Sequence, residues 1–168
     1  MNTVPDRISW AVSVVDPGPG HRLLEFGCGP GVAAELVCAR LDQGTLLAID
    51  RSAVAVDRTR RRNADHVRAG RLEVRECALT DLRLPAGSLD QAFGVNVNVF
   101  WTGSASAELA VLHAALRPGG RLSVLYGAGP TGPDRVTAVV ADHLRTSGFA
   151  DIDILRSAHG TGIVGTVR

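Results

Sequence analysis

Lysine is absent from this chain of 168 residues, and all 18 of its basic residues are arginine. Together with the abundance of alanine, glycine and valine, this reads as the codon bias of a GC-rich genome, not as a functional trait. An excess of one charge is also missing. The formal net charge is +1, and the 21% of charged residues mixes both signs along the chain. No electrostatic footprint therefore points to nucleic acid or to an acidic membrane. The one basic cluster, Arg58, Arg60, Arg61 and Arg62, has no interleaved aromatics and reads as a solvated helix face. No apolar run is long enough to span a bilayer. The start of the chain lacks the basic-then-apolar order of a signal peptide. Cys28, Cys38 and Cys77 are odd in number and show no C-x-x-C spacing, so a reduced, cytoplasmic protein is expected. Repeats, low-complexity tracts and linkers are absent as well. The expectation is a single α/β domain over 1–168, with 1–20 as N-terminal helix and lead-in.

What is present centres on Leu23-Leu-Glu-Phe-Gly-Cys-Gly-Pro-Gly31. A short apolar strand carrying Glu25 runs into Gly27, Gly29 and Gly31, and a helical pattern starts at Val32. Glycines at alternate positions let a ligand approach the backbone closely, with N–H groups at the helix start free to meet its polar atoms. Asp50 ends the next apolar run, Thr45-Leu-Leu-Ala-Ile-Asp50. An acid about 20 residues beyond a glycine turn, at the tip of the second strand, is placed to take both hydroxyls of a ribose. A dinucleotide turn wants a third glycine where Val32 stands, so a pyrophosphate fits poorly. Cys28 sits inside the turn. No sequence-local base supports it as a nucleophile, and it reads as a small side chain packed there.

The glycine stretch resembles motif I, Glu-x-Gly-x-Gly-x-Gly, of the class I S-adenosylmethionine (AdoMet)-dependent methyltransferases. Two later stretches resemble the same family. Ala78-Leu-Thr-Asp81 with Leu84-Pro-Ala-Gly-Ser-Leu-Asp90 is similar to its Gly-Asp-Ala, spacer, Leu-Pro, Gly-Ser-Phe-Asp. Leu116-Arg-Pro-Gly-Gly-Arg-Leu122 is similar to its Leu-Lys-Pro-Gly-Gly-x-Leu. The resemblance covers nearly the whole chain from Trp10. It implies a single doubly wound, mostly parallel seven-stranded sheet with a C-terminal antiparallel hairpin.

The resemblance also implies a cofactor site. Glu25, Gly27, Cys28, Gly29 and Gly31 would hold the methionine end of S-adenosylmethionine, and Asp50 the ribose. Arg51, Ala78 and Leu79 would lie about the adenine, and the backbone near Asn96 would meet the cofactor amino group. One departure stands out: the acid that usually grips the adenine amino group is Ala78 here. Glu76, Asp81 or backbone groups at Ala78 and Leu79 are the replacements the sequence offers.

Ligands of a doubly wound sheet sit outside the carboxyl ends of its strands. Asn96 and Asn98, after the fourth strand, fall there, followed by Phe100 and Trp101. The asparagines read equally as acceptor-orienting groups or as loop hydrogen-bonders, and the aromatics as core packing or as walls of an acceptor pocket. Tyr126, ending strand five, and His159, in the last turn, are the titratable candidates for catalysis. Trp10, on an N-terminal helix, reads as a core anchor or a cover for the cofactor mouth. Asparagines stand where metal-dependent relatives need carboxylates, so no metal is expected. The expected activity is methyl transfer from S-adenosylmethionine to a small-molecule acceptor. The alternatives are a non-catalytic AdoMet-binding sensor or partner subunit, and an NAD(P)-dependent oxidoreductase.

The expected helices cover 6–15, 32–41, 53–64, 107–116 and 135–146, the last capped by Asp134. The expected strands cover 23–26, 45–49, 71–77, 91–95, 121–126, 149–155 and 163–167. The strand at 71–77 alternates like an exposed edge. A sharp turn at 117–120 should lead into the fifth strand.

Overall fold

The computed structural model describes residues 3–128 and 133–168. Seven strands form one sheet in the order β3-β2-β1-β4-β5-β7-β6. They are β1 (Arg22–Phe26), β2 (Thr45–Asp50), β3 (Leu72–Glu76), β4 (Leu89–Val95), β5 (Leu116–Gly127), β6 (Ala150–Ser157) and β7 (Gly160–Thr166). β1 to β5 are parallel, and β7 enters antiparallel between β5 and β6. The chain winds outward from β1 to β3, then returns to lay β4 against the other side of β1. That reversal leaves a crevice between the carboxyl ends of β1 and β4, where doubly wound sheets take their ligands.

Alternation along the buried strands sends side chains to two cores. Leu23, Leu46, Val74, Phe93 and Leu125 point to one face. There they meet α1 (Asp6–Val15), α2 (Val32–Cys38) and α3 (Ala53–Arg62). Leu24, Phe26, Ile49, Leu122 and Val124 point to the other. That face is covered by α5 (Val99–Thr102), α6 (Ser106–Ala115) and α7 (Pro133–Thr146). Glu25 belongs to the first face and is the charged residue buried there.

Several boundaries depart from the expected ones for local reasons. The helix expected over 53–64 is divided at Asn63 into α3 and α4 (Ala64–Arg68). Asn63 leaves helical geometry (φ −108°, ψ 26°) while its amide reaches the Gly31 carbonyl. Ser52 caps α3, accepting the Ala55 N–H at 3.3 Å. The turn expected at 117–120 lies within β5, because Gly119 and Gly120 exchange backbone bonds with Val167. Gly119 there takes φ +77°, a conformation that favours glycine. Asp134 is not a cap. It lies in the first turn of α7 and pairs with Arg156 at 2.7 Å. The short helix α5 was not expected, and residues 129–132, in the Gly- and Pro-rich stretch ahead of α7, lie outside the described residues. No helix among the described residues is long and apolar enough to cross a membrane.

Candidate cofactor and acceptor site

The glycine turn uses the left-handed conformations that its composition permits. Gly27, Gly29 and Gly31 have φ of +70°, +52° and +77°, the region L side chains avoid. The three glycines differ in what surrounds them. A Cβ on Gly27 would stand 2.7 Å from a Val97 methyl, and one on Gly31 would stand 2.8 Å from the Asn63 amide and 2.9 Å from the Thr59 backbone. A Cβ on Gly29 would meet nothing within 4 Å, so Gly29 faces open space.

Two buried residues of α3 and its end brace this turn from behind. Thr59 donates its hydroxyl to the Gly29 carbonyl at 2.9 Å, and Asn63 donates to the Gly31 carbonyl at 3.0 Å. They hold the turn carbonyls on the far side and leave the front to a ligand. The sequence reading missed both; polar residues four apart, Thr59 and Asn63, beside the arginine cluster were the available signal. Cys28 is also part of this packing. Its Sγ lies 3.4 Å from the Thr59 hydroxyl, and burial pushes its thiol up to about 12, far from a nucleophilic thiolate.

Asp50 sits at the tip of β2 and is only half-buried. Its Oδ2 accepts the Gly29 N–H at 3.0 Å and its Oδ1 the Ser52 N–H at 2.9 Å. A carboxylate has about four acceptor positions, so two amide bonds leave capacity for hydroxyls. Glu25 differs. It is fully buried, its Oε2 has no partner, and burial first, then the nearby Asp50 charge, push its carboxyl up to about 8.

Three cavities open along the carboxyl edge of the sheet. The first, about 210 Å³, lies beside the glycine turn and is lined by Glu25, Gly29, Val32 and, from the N-terminal segment, Pro5, Arg7 and Ile8. The second, about 620 Å³, runs from Asp50 and Arg51 past Cys77, Ala78 and Leu79 to Glu108. The third, about 280 Å³, lies between Asn98, Trp101, Tyr126 and the β6–β7 turn. Asn96 lines all three. It holds φ +60°, and its Oδ1 accepts the Gly127 N–H at 2.9 Å, tying the ends of β4 and β5 together.

The second cavity contains the departure at Ala78 among its lining residues. Glu76 and Asp81 are both exposed, and neither lines it. The carboxylates that do are Asp50 and Glu108. Glu108, in the first turn of α6, is half-buried and has no hydrogen-bond or ion-pair partner among the described residues. Nothing in the sequence brought α6 to this edge; the packing of α6 on the short turn Leu79–Asp81 does.

The third cavity gathers part of the expected acceptor set. Asn98 and Trp101 line it together, joined by the indole Nε1 donating to Asn98 Oδ1 at 3.2 Å. Phe100 does not: it is fully buried, with its ring centroid 5.3 Å from that of Phe26. One helical step separates it from Trp101, and that step turns it into the core. Tyr126 lines the cavity, yet its hydroxyl donates to the Val97 carbonyl at 3.0 Å. Burial raises its ionisation above the usual phenol range, so it is a poor base. His159 lies in the tight β6–β7 turn at the same edge, but its side chain is exposed and lines none of these three cavities. His113 is far away, edge-on to Phe149, and Trp10 packs against the β7 glycines Gly160 and Gly162.

A family model described as "Methyltransferase domain" matches residues 23–120. The chain belongs to this methyltransferase family. A ribosomal protein L11 methyltransferase from Ralstonia nicotianae is 29% identical over 143 residues, covering 84% of this chain and 44% of that protein. The chain spans less than half the length of the curated relatives it matches. Among solved structures, a SAM-dependent O-methyltransferase from Thermotoga maritima superposes with a TM-score of 0.78 at 16% identity, covering 98% of this chain and 66% of that one. A SAM-dependent methyltransferase from Aquifex aeolicus gives 0.76 at 16% identity, with 99% and 100% covered. These likenesses bear on the fold.

S-adenosylmethionine is the cofactor of the methyltransferase family, and the residues present fit it. The buried Glu25 Oε2 has no partner among the described residues, and Gly29 leaves open space before the turn. Asp50 keeps acceptor capacity at the tip of β2.

Proposed function

We propose that this chain transfers the methyl group of S-adenosylmethionine to a small-molecule acceptor. The observation that carries this reading is the meeting of three cavities at Asn96. In the reading, Glu25 and the glycine turn hold the amino-acid end, Asp50 the ribose, and Arg51 and Leu79 flank the base. Glu108 accepts a hydrogen bond from the adenine amino group, in place of the acid absent at Ala78. When bound, the cofactor supplies a methyl group on a positively charged sulfur, which an in-line nucleophile displaces.

The protein then mainly has to align the acceptor and exclude water. Asn98 and Asn96 orient the acceptor through their amides. Trp101 and Tyr126 form walls, and Tyr126 also braces the chain after β4 through Val97. Among the described residues lining the acceptor cavity, Tyr126 is the one ionisable side chain. With its hydroxyl so engaged, the reading favours an acceptor that needs no protein base before attack, such as a neutral amine. A volume of about 280 Å³ lies near the lower end of small-molecule sites, roughly 300–1,000 Å³.

The test is incorporation of a labelled methyl group. The chain is incubated with methyl-labelled S-adenosylmethionine and a cell extract separated into small-molecule and protein fractions. Label in the small-molecule fraction supports the reading. Label confined to protein overturns the acceptor class and favours a protein substrate, as in the name of the Ralstonia relative. Cofactor binding without transfer to either fraction favours a non-catalytic sensor.

A further inference from the structure

α5 has little of its own to hold it in place. Its four residues make barely one turn, and an isolated helix that short is not stable in water. Its last backbone bond among the described residues runs from the Gly103 N–H to the Val99 carbonyl at 3.3 Å, and Gly103 is already extended. The Phe100 carbonyl therefore has to find a donor outside the helix. That donor is His143 of α7, whose Nδ1 lies 3.1 Å away. A carbonyl oxygen only accepts, so Nδ1 carries the hydrogen.

The place of Trp101 depends on this anchor. Its indole is tied to Asn98, next to α5 in the same stretch of chain, so that bond travels with the helix. The fixed points come from other elements. Tyr126 donates to the Val97 carbonyl ahead of α5, and His143 to the Phe100 carbonyl within it. The Phe100 ring adds a third, in the core cluster that holds Val140 and Leu144 of α7. α7 also lines the acceptor cavity, through Val136. Val136 and His143 are seven residues apart and so share one face of α7. That face lines the cavity at one end and fastens the carrier of Trp101 at the other.

We propose that His143 is a positioning residue for methyl transfer: its bond to the Phe100 carbonyl sets where α5 presents Trp101 to the acceptor. This rests on the acceptor reading above. His143 lines none of the three cavities, so it acts through α5 and not on the reactants.

His143→Asn and His143→Leu test it. The two side chains are nearly equal in size, but Asn keeps an N–H donor near the place of Nδ1 and Leu has none. Transfer of labelled methyl into the small-molecule fraction should fall by roughly 10- to 100-fold in His143→Leu, the scale of a small misplacement at a reacting site. His143→Asn should recover most of it. Calorimetric affinity for S-adenosylhomocysteine should change by about twofold at most in either variant. A Trp10→Phe background leaves Trp101 as the one indole, since the chain has two tryptophans. There, Trp101 emission should shift to the red and be quenched more readily by acrylamide in His143→Leu, but not in His143→Asn. Equal losses of transfer in the two variants, a loss of cofactor affinity as large as the loss of transfer, or unchanged Trp101 emission in His143→Leu each overturns the positioning role. If the unmodified chain labels no small molecule, the acceptor reading falls, and the emission of the two variants alone decides whether His143 places Trp101.

Discussion

The Asp50 carboxylate is bonded to the glycine turn itself: Oδ2 accepts the Gly29 N–H at 3.0 Å across the gap between β1 and β2. The same side chain that would hold the ribose therefore sets the shape of the turn that would hold the amino-acid end. Asp50→Ala should weaken S-adenosylhomocysteine binding by about 1.5–3 kcal/mol. Part of that loss would come through the turn, so Asp50→Asn, which keeps an acceptor for Gly29, should lose less. Calorimetry on both variants checks this, and equal affinities in all three proteins would show the ribose held elsewhere.

Glu25 makes stability and binding depend on pH in opposite directions. Its carboxyl is raised from 4.5 to about 8 in the fold. Its contribution to stability is therefore full below pH 4.5 and is lost as pH rises through about 8. An ammonium ligand favours the ionised form, so binding below about pH 8 should release a proton, and affinity should rise towards that pH. Melting curves across this range, and titrations in buffers of different ionisation enthalpy, read the two effects. Glu25→Gln, with no proton to lose, should flatten both; a persisting proton release would assign it to another group.

Glu108→Gln tests the adenine reading by exchanging an acceptor for a side chain that can also donate. The variant should bind S-adenosylhomocysteine more weakly by about 1–3 kcal/mol. It should gain affinity for the inosine analogue, whose 6-oxo group accepts a hydrogen bond. Unchanged preference between the two ligands in a competition titration would remove Glu108 from the base-binding edge.

Trp101→Ala should damage turnover more than cofactor affinity. The indole is half-buried and lines the acceptor cavity while bonding Asn98, so its removal loses wall and orientation together. The loss of stability should fall below the roughly 3–5 kcal/mol of a fully buried aromatic. Phe100→Ala, in the core against Phe26, should show the reverse balance. Thermal melting, cofactor titration and turnover on each variant separate the two roles.

The fold was legible because its determinants are local. Apolar strands ending at Phe26 and Asp50, glycines between strand and helix, and the Pro-Gly-Gly in the first part of β5 each announce one step of a doubly wound sheet. The nearer half of the site was legible for the same reason: Glu25, Gly29 and Asp50 lie within a single β-α-β unit. The rest depends on elements brought together over long sequence distances. Thr59 and Asn63 come behind the turn only when α3 packs there, and Glu108 lines the second cavity only when α6 reaches that edge. Phe100 and Trp101 were indistinguishable in sequence, because the short helix that sends one inward and the other to the cavity was not foreseen.

Ligand choice bears most directly on the account. Calorimetric titration of the unmodified chain should give micromolar binding of S-adenosylmethionine and S-adenosylhomocysteine, roughly −8 kcal/mol, and no measurable binding of NAD(H). Equal binding of both cofactor classes, or binding of NAD(H) alone, would contradict it.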